Sequence, residues 1–275
     1  MNASITNLRS ASSNHRLSRR SFLGSGGRVL GGAWLLSACA AGRTVADQTA
    51  QPDDRKRIAI ITGDDYPGHK WKETAPVLKE AIAKDRRLLV NVVEDPNFLA
   101  SPELNTYDAV VLHWMNWEKP DPGEAARANL KAFVEGGKGL VLVHFACGAF
   151  QDWPEFRNLV GRAYDPKLRP HDPFGKYTVN IVDPDHPITR GMKDFETTDE
   201  LYTCLAGDRK IRMLATAKSV VDGKDYPMAF VLRYGKGCVF HSPLGHDAAA
   251  LANPPVAQLF RRAAAWTAKL PPVQE

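Results

Sequence analysis

The chain has 275 residues, 44% apolar and 24% charged, an ordinary globular composition with length for one sizeable core. Its net charge of +5 invites a nucleic-acid reading. Residues 1–38, however, hold Arg9, Arg16, Arg19, Arg20 and Arg28 and no acid; subtracting these five from 36 basic residues leaves 31 against 31 acidic, a neutral remainder. No basic patch with interleaved aromatics occurs, which argues against nucleic acid as a partner.

Ser18-Arg19-Arg20-Ser21-Phe22-Leu23 matches the twin-arginine export pattern. A weakly apolar, glycine-containing stretch follows from Leu23 to Leu36, too short and too poor in large residues to span a bilayer stably. A disordered basic tail would leave the acid-free start and the apolar stretch unexplained. Leu36-Ser37-Ala38-Cys39 reads as a lipobox; plain cleavage beside Ala38, Ala40 or Ala41 is the competing reading. We expect a lipoprotein signal over residues 1–39, a polar tether over 40–56 and one domain over 57–270. This places the protein in the periplasm or cell envelope, with the membrane as partner through lipid on Cys39. Cys147, Cys204 and Cys238 then remain, either as one disulfide and one thiol or as three buried thiols. No CxxC pair occurs, which argues against a thiolate zinc cluster.

Ile58–Thr62 is a β-branched apolar run ending at Gly63, the pattern of a buried parallel strand. A helix is expected over Glu73–Ala83, with Pro76 tolerated in its first turn. Strands follow at Leu88–Val93 and Ala109–Leu112, and a helix at Glu124–Glu135 stops at Gly136-Gly137. Gly139–Val143 reads as a central strand and Trp153–Val160 as a short helix. This alternation predicts an α/β, doubly wound, mostly parallel sheet. The C-terminal half is more elaborate: Tyr177–Val182, Ile211–Ala215, Pro227–Leu232 and Cys238–His241 read as short strands, and Pro255–Lys269 as an amphipathic closing helix.

Ligands collect at the C-terminal ends of parallel strands. There the sequence places His69, His113, His144 and His246, each alone an ordinary structural residue, together able to bind a metal, act as a base or grip sugar hydroxyls. Trp71, Trp114, Trp117 and Trp153 lie near the same ends, as packing under loops or as a platform for a sugar ring. Asp199-Glu200-Leu201-Tyr202 sets two carboxylates beside a tyrosine, as a site or as a solvated turn. His171 reads as a structural loop residue. Cys147 lies three residues past His144, whereas the sharp turn that presents a nucleophile carries it at the tip.

Gly68-His69-Lys70-Trp71, Gly136-Gly137-Lys138-Gly139-Leu140-Val141 through His144, His186-Pro187-Ile188-Thr189, Asp199 through Tyr202, and Tyr234-Gly235-Lys236-Gly237 through Leu244-Gly245-His246 occur in order. Over residues 57–268 the set resembles the ThuA-like, trehalose-utilisation family. The resemblance implies a flavodoxin-like fold related to class I glutamine amidotransferases, without their cysteine elbow. It also implies a role in carbohydrate metabolism, on trehalose-type glucosides or their 3-keto derivatives. His69, His144, His246, Glu200 and Tyr202 fall on family motif positions.

Two readings follow. In the first, an enzyme cleaves a glycoside such as a 3-keto-glucoside by base-assisted elimination and hydration. His144, His246 and Glu200 are then catalytic, and Trp71, Tyr202, His113 and Trp114 hold substrate. His69, His144 and His246 are the expected ligands of a divalent metal, zinc or similar, with no nucleotide cofactor. In the second, the same residues form the cleft of a noncatalytic sugar-binding envelope lipoprotein. A weaker third reading makes Cys147 the nucleophile of a hydrolase.

Overall fold

The computed structural model describes residues 54–117 and 119–273, and the export signal, lipobox and most of the tether lie outside them. Four of the parallel strands are β1 (Lys56–Ile61), β2 (Leu88–Val93), β3 (Ala109–Leu112) and β4 (Gly139–Val143). Along β1, Ile58 and Ile60 join one apolar cluster, and Ala59 and Ile61 join the other, because helices cover both faces. A continuous apolar run is the mark of a strand buried on both sides. Helices α1 (Trp71–Ala83) and α5 (Pro254–Thr267) pack on one face through Leu78, Ile82, Leu259 and Phe260. Helices α2 (Glu124–Glu135) and α3 (Pro154–Val160) pack on the other through Leu130, Phe133 and Phe156.

Two small strands, β5 (Ala163–Tyr164) and β8 (Leu205–Ala206), pair apart from the main sheet. The remaining strands are β6 (Gly175–Ile181), β7 (Phe195–Asp199), β9 (Arg212–Lys218), β10 (Asp225–Tyr234) and β11 (Gly237–Ser242). The nine-stranded order is β2-β1-β3-β4-β11-β10-β9-β6-β7. The pairs from β2 to β11 are parallel, and those from β11 to β7 are antiparallel. The 2-1-3-4-5 order of a flavodoxin-like sheet is therefore completed by β11, after an antiparallel excursion. That return depends on the Gly235-Lys236 turn: Gly235 has φ +55°, and a Cβ there would stand 2.7 Å from the Glu135 carbonyl oxygen. A short helix α4 (Ala248–Ala252), capped by Asp247 Oδ1 accepting from Ala250 N at 2.7 Å, precedes α5.

Two details differ from the sequence expectations, and the cysteines settle between the two alternatives left open for them. Helix α1 begins at Trp71, so Pro76 lies beyond its first turn, where its missing N–H leaves the ladder one bond short. Strand β7 carries no clear sequence signal, because its inward positions are Phe195, Thr197 and Asp199 and alternation marked by polar residues is hard to read. Cys147, Cys204 and Cys238 are buried free thiols. Among the described residues no helix is long and apolar enough to cross a membrane.

Candidate active site

Strand β4 runs into a sharp turn whose tip is His144, a non-glycine residue at φ +47°. Positive φ is uncommon in a residue with a Cβ, costs energy, and persists where the surrounding packing holds it. The turn is continued by a 3-10 segment, His144–Gly148, and it lifts the imidazole to the C-terminal rim of the sheet. A carbonyl can only accept, so the 2.6 Å contact to Pro243 O means that His144 Nδ1 donates. Its Nε2 lone pair is thereby turned toward the rim, the orientation a partner carbonyl gives a ligating histidine. Tyr202 Oη lies 2.9 Å from this Nε2 and 3.4 Å from His69 Nε2.

His69 stands on the loop after β1, where its N–H reaches Tyr66 O at 3.0 Å. Its ring is stacked between Tyr66 and Phe145, at 5.5 and 4.4 Å between centroids. His246 follows β11 and Glu200 follows β7. Asp199, fully buried at the end of β7, ties these two loops together. Its Oδ2 accepts from Gly245 N at 2.7 Å, and its Oδ1 accepts from His246 N at 3.1 Å and Glu200 N at 2.8 Å. Gly245 has φ +108°, and a Cβ there would press on Leu251 at 2.6 Å.

His69, His144, Glu200 and His246 each present one donor atom, and all four atoms lie within 4.8 Å of one another. Glu200 Oε2 is 3.4 Å from His144 Nε2 and 3.1 Å from His246 Nδ1; the second contact is within ion-pair distance but poorly aligned for a hydrogen bond. Tetrahedral zinc with bonds near 2.0–2.1 Å would set neighbouring ligands about 3.3 Å apart, which the two Glu200 spacings match, while a set reaching 4.8 Å would have to draw in around the ion. His69 Nδ1 is buried and makes no hydrogen bond among the described residues. The cluster could therefore hold a metal ion.

Electrostatics keep these donors available. Burial, reinforced by His144 and His246, pushes His69 down to about 2, so it is neutral at physiological pH. Burial works to raise the Glu200 carboxyl, but contacts with His144 and His246 outweigh it and the group lies below its ordinary range. The Glu200 carboxylate raises His246, against burial. Burial raises Asp199. Cys147 is raised well above its ordinary value by burial, so it stays a protonated thiol and a poor nucleophile.

His69, Glu200, Tyr202, His246 and Cys147 border a cavity of about 320 Å³, lined also by Tyr66, Met115, Trp117, Tyr164 and His171, while His144 and Asp199 are fully buried behind its wall. The structure brings together His69, His144, His246, Glu200 and Tyr202. It does not bring His113, Trp114 or Trp71 to the cavity wall. His113 is fully buried, with Nδ1 at 3.3 Å from Thr62 Oγ1 and Nε2 at 3.1 Å from Thr74 Oγ1, so both ring nitrogens are already engaged. Trp114 is buried against Phe150 and donates to Asp64 Oδ2 at 2.6 Å. Trp71 opens α1 and donates to Asp65 Oδ1 at 2.9 Å, beside a separate shallow groove. The residue that sequence reasoning set aside is His171. Its Nδ1 donates to Asp172 O at 2.6 Å, and its Nε2 is 3.5 Å from Glu200 Oε1. Its Pro170-His171-Asp172-Pro173 setting carries no periodic signal that could have marked it.

Sheet order, elbow and rim cluster define an α/β protein of the class I glutamine amidotransferase-like fold, with histidine where an elbow nucleophile would stand. The chain belongs to the ThuA family, described as trehalose utilisation, whose profile matches residues 57–267. It is similar to a protein from Parabacteroides merdae described as ThuA-like, at 25% identity and TM-score 0.71, over 80% of this chain and 92% of that one. A second such protein, from Bacteroides uniformis, matches at 18% identity and TM-score 0.64, over 81% and 94%. A β-galactosidase from Rahnella sp. R3 shares the fold at 18% identity and TM-score 0.56, over 80% of this chain but 33% of that enzyme. No curated protein matches the sequence significantly.

Proposed function

We propose that this protein cleaves an oxidised glycoside, a 3-keto-glucoside, by elimination followed by hydration. The observation that carries the reading is the convergence of three imidazoles and one carboxylate at the end of a cavity with room for a sugar. A ketone at C3 acidifies the C2 hydrogen, and an imidazole is the side chain best matched to removing it near neutrality. His246 suits that role: its side chain is 23% exposed against 0% for His144, and the Glu200 carboxylate stabilises its charged form. The proton moves from C2 to the His246 ring. The C2–H electron pair becomes the C1–C2 double bond, and the anomeric oxygen departs and takes up the proton. Water then adds across C1=C2, for a net hydrolysis. His69, His144 and Glu200 would hold a divalent cation, which when bound would polarise the 3-keto oxygen. Tyr202, bonded to His144, helps fix that imidazole and closes the site on one side.

Purified protein is mixed with 3-keto-trehalose or with trehalose, with added zinc or with chelator. We expect glucose from the keto sugar alone and loss of the reaction with chelator. Failure to cleave either sugar under any metal condition overturns the reading, and binding without turnover would leave a noncatalytic sugar receptor.

We also propose export by the twin-arginine route and anchoring through lipid on Cys39, on the strength of Arg19-Arg20 and the lipobox. Such a protein should incorporate labelled palmitate, and Cys39→Ala should abolish the label; unlabelled wild-type protein overturns the anchor.

A further inference from the structure

The cavity has a second end, of different chemistry, that takes no part in the proposed proton transfer. From His69 its wall runs through Tyr66, Trp117 and Tyr164, with Met115, Cys147 and Cys204 beside them. Tyr66 stacks on His69 at 5.5 Å, and Trp117 lies 6.3 Å from Tyr66 and 5.0 Å from Tyr164 between ring centroids. The aromatic run is thus unbroken from the histidines to Trp117, which is 40% exposed. Among the described residues that line the cavity there is no lysine or arginine.

An exposed tryptophan on a loop is by itself unremarked, but this loop is built. On one side of Trp117, Trp114 Nε1 donates to Asp64 Oδ2 at 2.6 Å, and Asn116 Oδ1 accepts from Phe150 N at 2.9 Å. On the other, Lys119 Nζ donates to Asp64 Oδ1 at 2.7 Å, and its carbonyl accepts from Asn116 Nδ2 at 2.9 Å. These bonds anchor the residues that flank Trp117, and its indole rests against Tyr66 and Tyr164, so less ordering entropy is lost when a ligand stacks there than on a free loop.

We propose that Tyr66, Trp117 and Tyr164 form the leaving-group subsite, selecting uncharged glycosides whose aglycone has a flat apolar face. That face is an aryl ring or the C–H face of a second sugar. The assignment rests on the reading of the histidine–glutamate end as the reacting centre. An anionic aglycone or phosphorylated sugar would be desolvated against the aromatic wall with no cation to pair it, so such substrates are rejected.

The full domain is assayed with methyl, phenyl and glucosyl 3-keto-glucosides and with a phosphorylated congener, in wild type, Trp117→Ala and Trp117→Phe. Calorimetry with the unoxidised glycosides reads binding separately. Stacking of this kind corresponds to a roughly three- to tenfold preference over methyl. We expect that preference in KM and Kd for phenyl, glucosyl or both, which one naming the natural aglycone. Trp117→Ala should erase it, Trp117→Phe should keep most of it, and the phosphorylated congener should bind at least tenfold more weakly. A binding preference that Trp117→Ala erases, without turnover, upholds the subsite and sinks the reaction. Turnover with no preference over methyl, or with a preference that survives Trp117→Ala, upholds the reaction and overturns the subsite. No binding and no turnover overturns both.

Discussion

The two halves of the sheet contribute differently to the site. The parallel half, β2-β1-β3-β4-β11, supplies His69, His144 and His246 from the loops after β1, β4 and β11, on strands buried on both faces. The antiparallel half supplies Glu200 and Tyr202 just past its edge strand β7, and the β5–β6 connection adds His171. The first half is a scaffold holding imidazoles at a common rim. The second is a flap of strands that brings a carboxylate and a phenol across to them, stitched on by Asp199. The lesson is that a common sheet acquires its own chemistry through what its extension delivers, so each half should be separately breakable.

The largest effects come from removing one donor on each side. His144→Ala and Glu200→Gln should each lower kcat/KM on a 3-keto-glucoside by about 10²–10⁴-fold. The double variant should be little worse than either single, because groups acting as a unit are not additive. Zinc bound per chain, read by metal analysis, should fall in both variants. A fully active variant on one side would show that its half of the sheet is only a cover.

Asp199→Asn tests the stitch. An amide in this place keeps one acceptor oxygen but sets an NH2 against backbone N–H groups that now bond a carboxylate. We expect about 10–100-fold lower kcat with KM nearly unchanged, in the range of outer-shell partners of a metal site, and a stability cost of about 1–3 kcal/mol. Asp199→Glu should not restore activity, since the longer chain cannot keep all three bonds. Wild-type kinetics in Asp199→Asn would mean that the loops hold themselves.

The same division explains what the sequence made legible. The parallel strands announce themselves because burial on both faces demands unbroken β-branched runs, as in Gly139–Val143. His144 could be placed by that rule, since it directly follows β4, and His69 and His246 by lying on the loops that leave the ends of β1 and β11. His113 obeys the same rule yet points into the protein, between Thr62 and Thr74, because strand-end position does not determine side-chain direction. Trp114 and Trp117 likewise stand three residues apart, one interior and the other on the cavity wall. In the antiparallel half the decisive residue, Asp199, occupies an inward strand position that would ordinarily be apolar. Besides its neighbour Glu200 N, its donors are the Gly245 and His246 N–H groups, 46 and 47 residues away, which no local pattern reports.

A smaller effect is acid sensitivity, which the buried histidines of the parallel half should dominate. Burial depresses His69 to about 2 and His113 and His241 to about 3. Below the unfolded value near 6.5 the unfolded chain binds protons that the native state refuses, so stability falls as pH drops from 6.5. Down to pH 5 the loss is at most about 2 kcal/mol per histidine. His246, raised by Glu200, has the opposite sign: its contribution is complete below 6.5 and lost as pH rises through its native value. Urea midpoints should therefore decline steadily from pH 6.5 to 5, and His113→Gln should flatten the slope. A profile already flat in the wild type would contradict the neutral, buried assignment.

The smallest effect separates charge from burial in the loop that carries Trp117. Asp64 receives two donors, the exposed ammonium of Lys119 at 2.7 Å and the buried indole N–H of Trp114 at 2.6 Å. Lys119→Met should leave the urea midpoint essentially unchanged, because an exposed ion pair gains little over its hydrated partners. Trp114→Phe removes a donor from a carboxylate that stays partly enclosed and thins the packing on Phe150, so it should cost about 2 kcal/mol. If the two variants proved equal in urea melts, the loop would be held by charge at the surface. It would then loosen with added salt, which burial of Trp114 argues against.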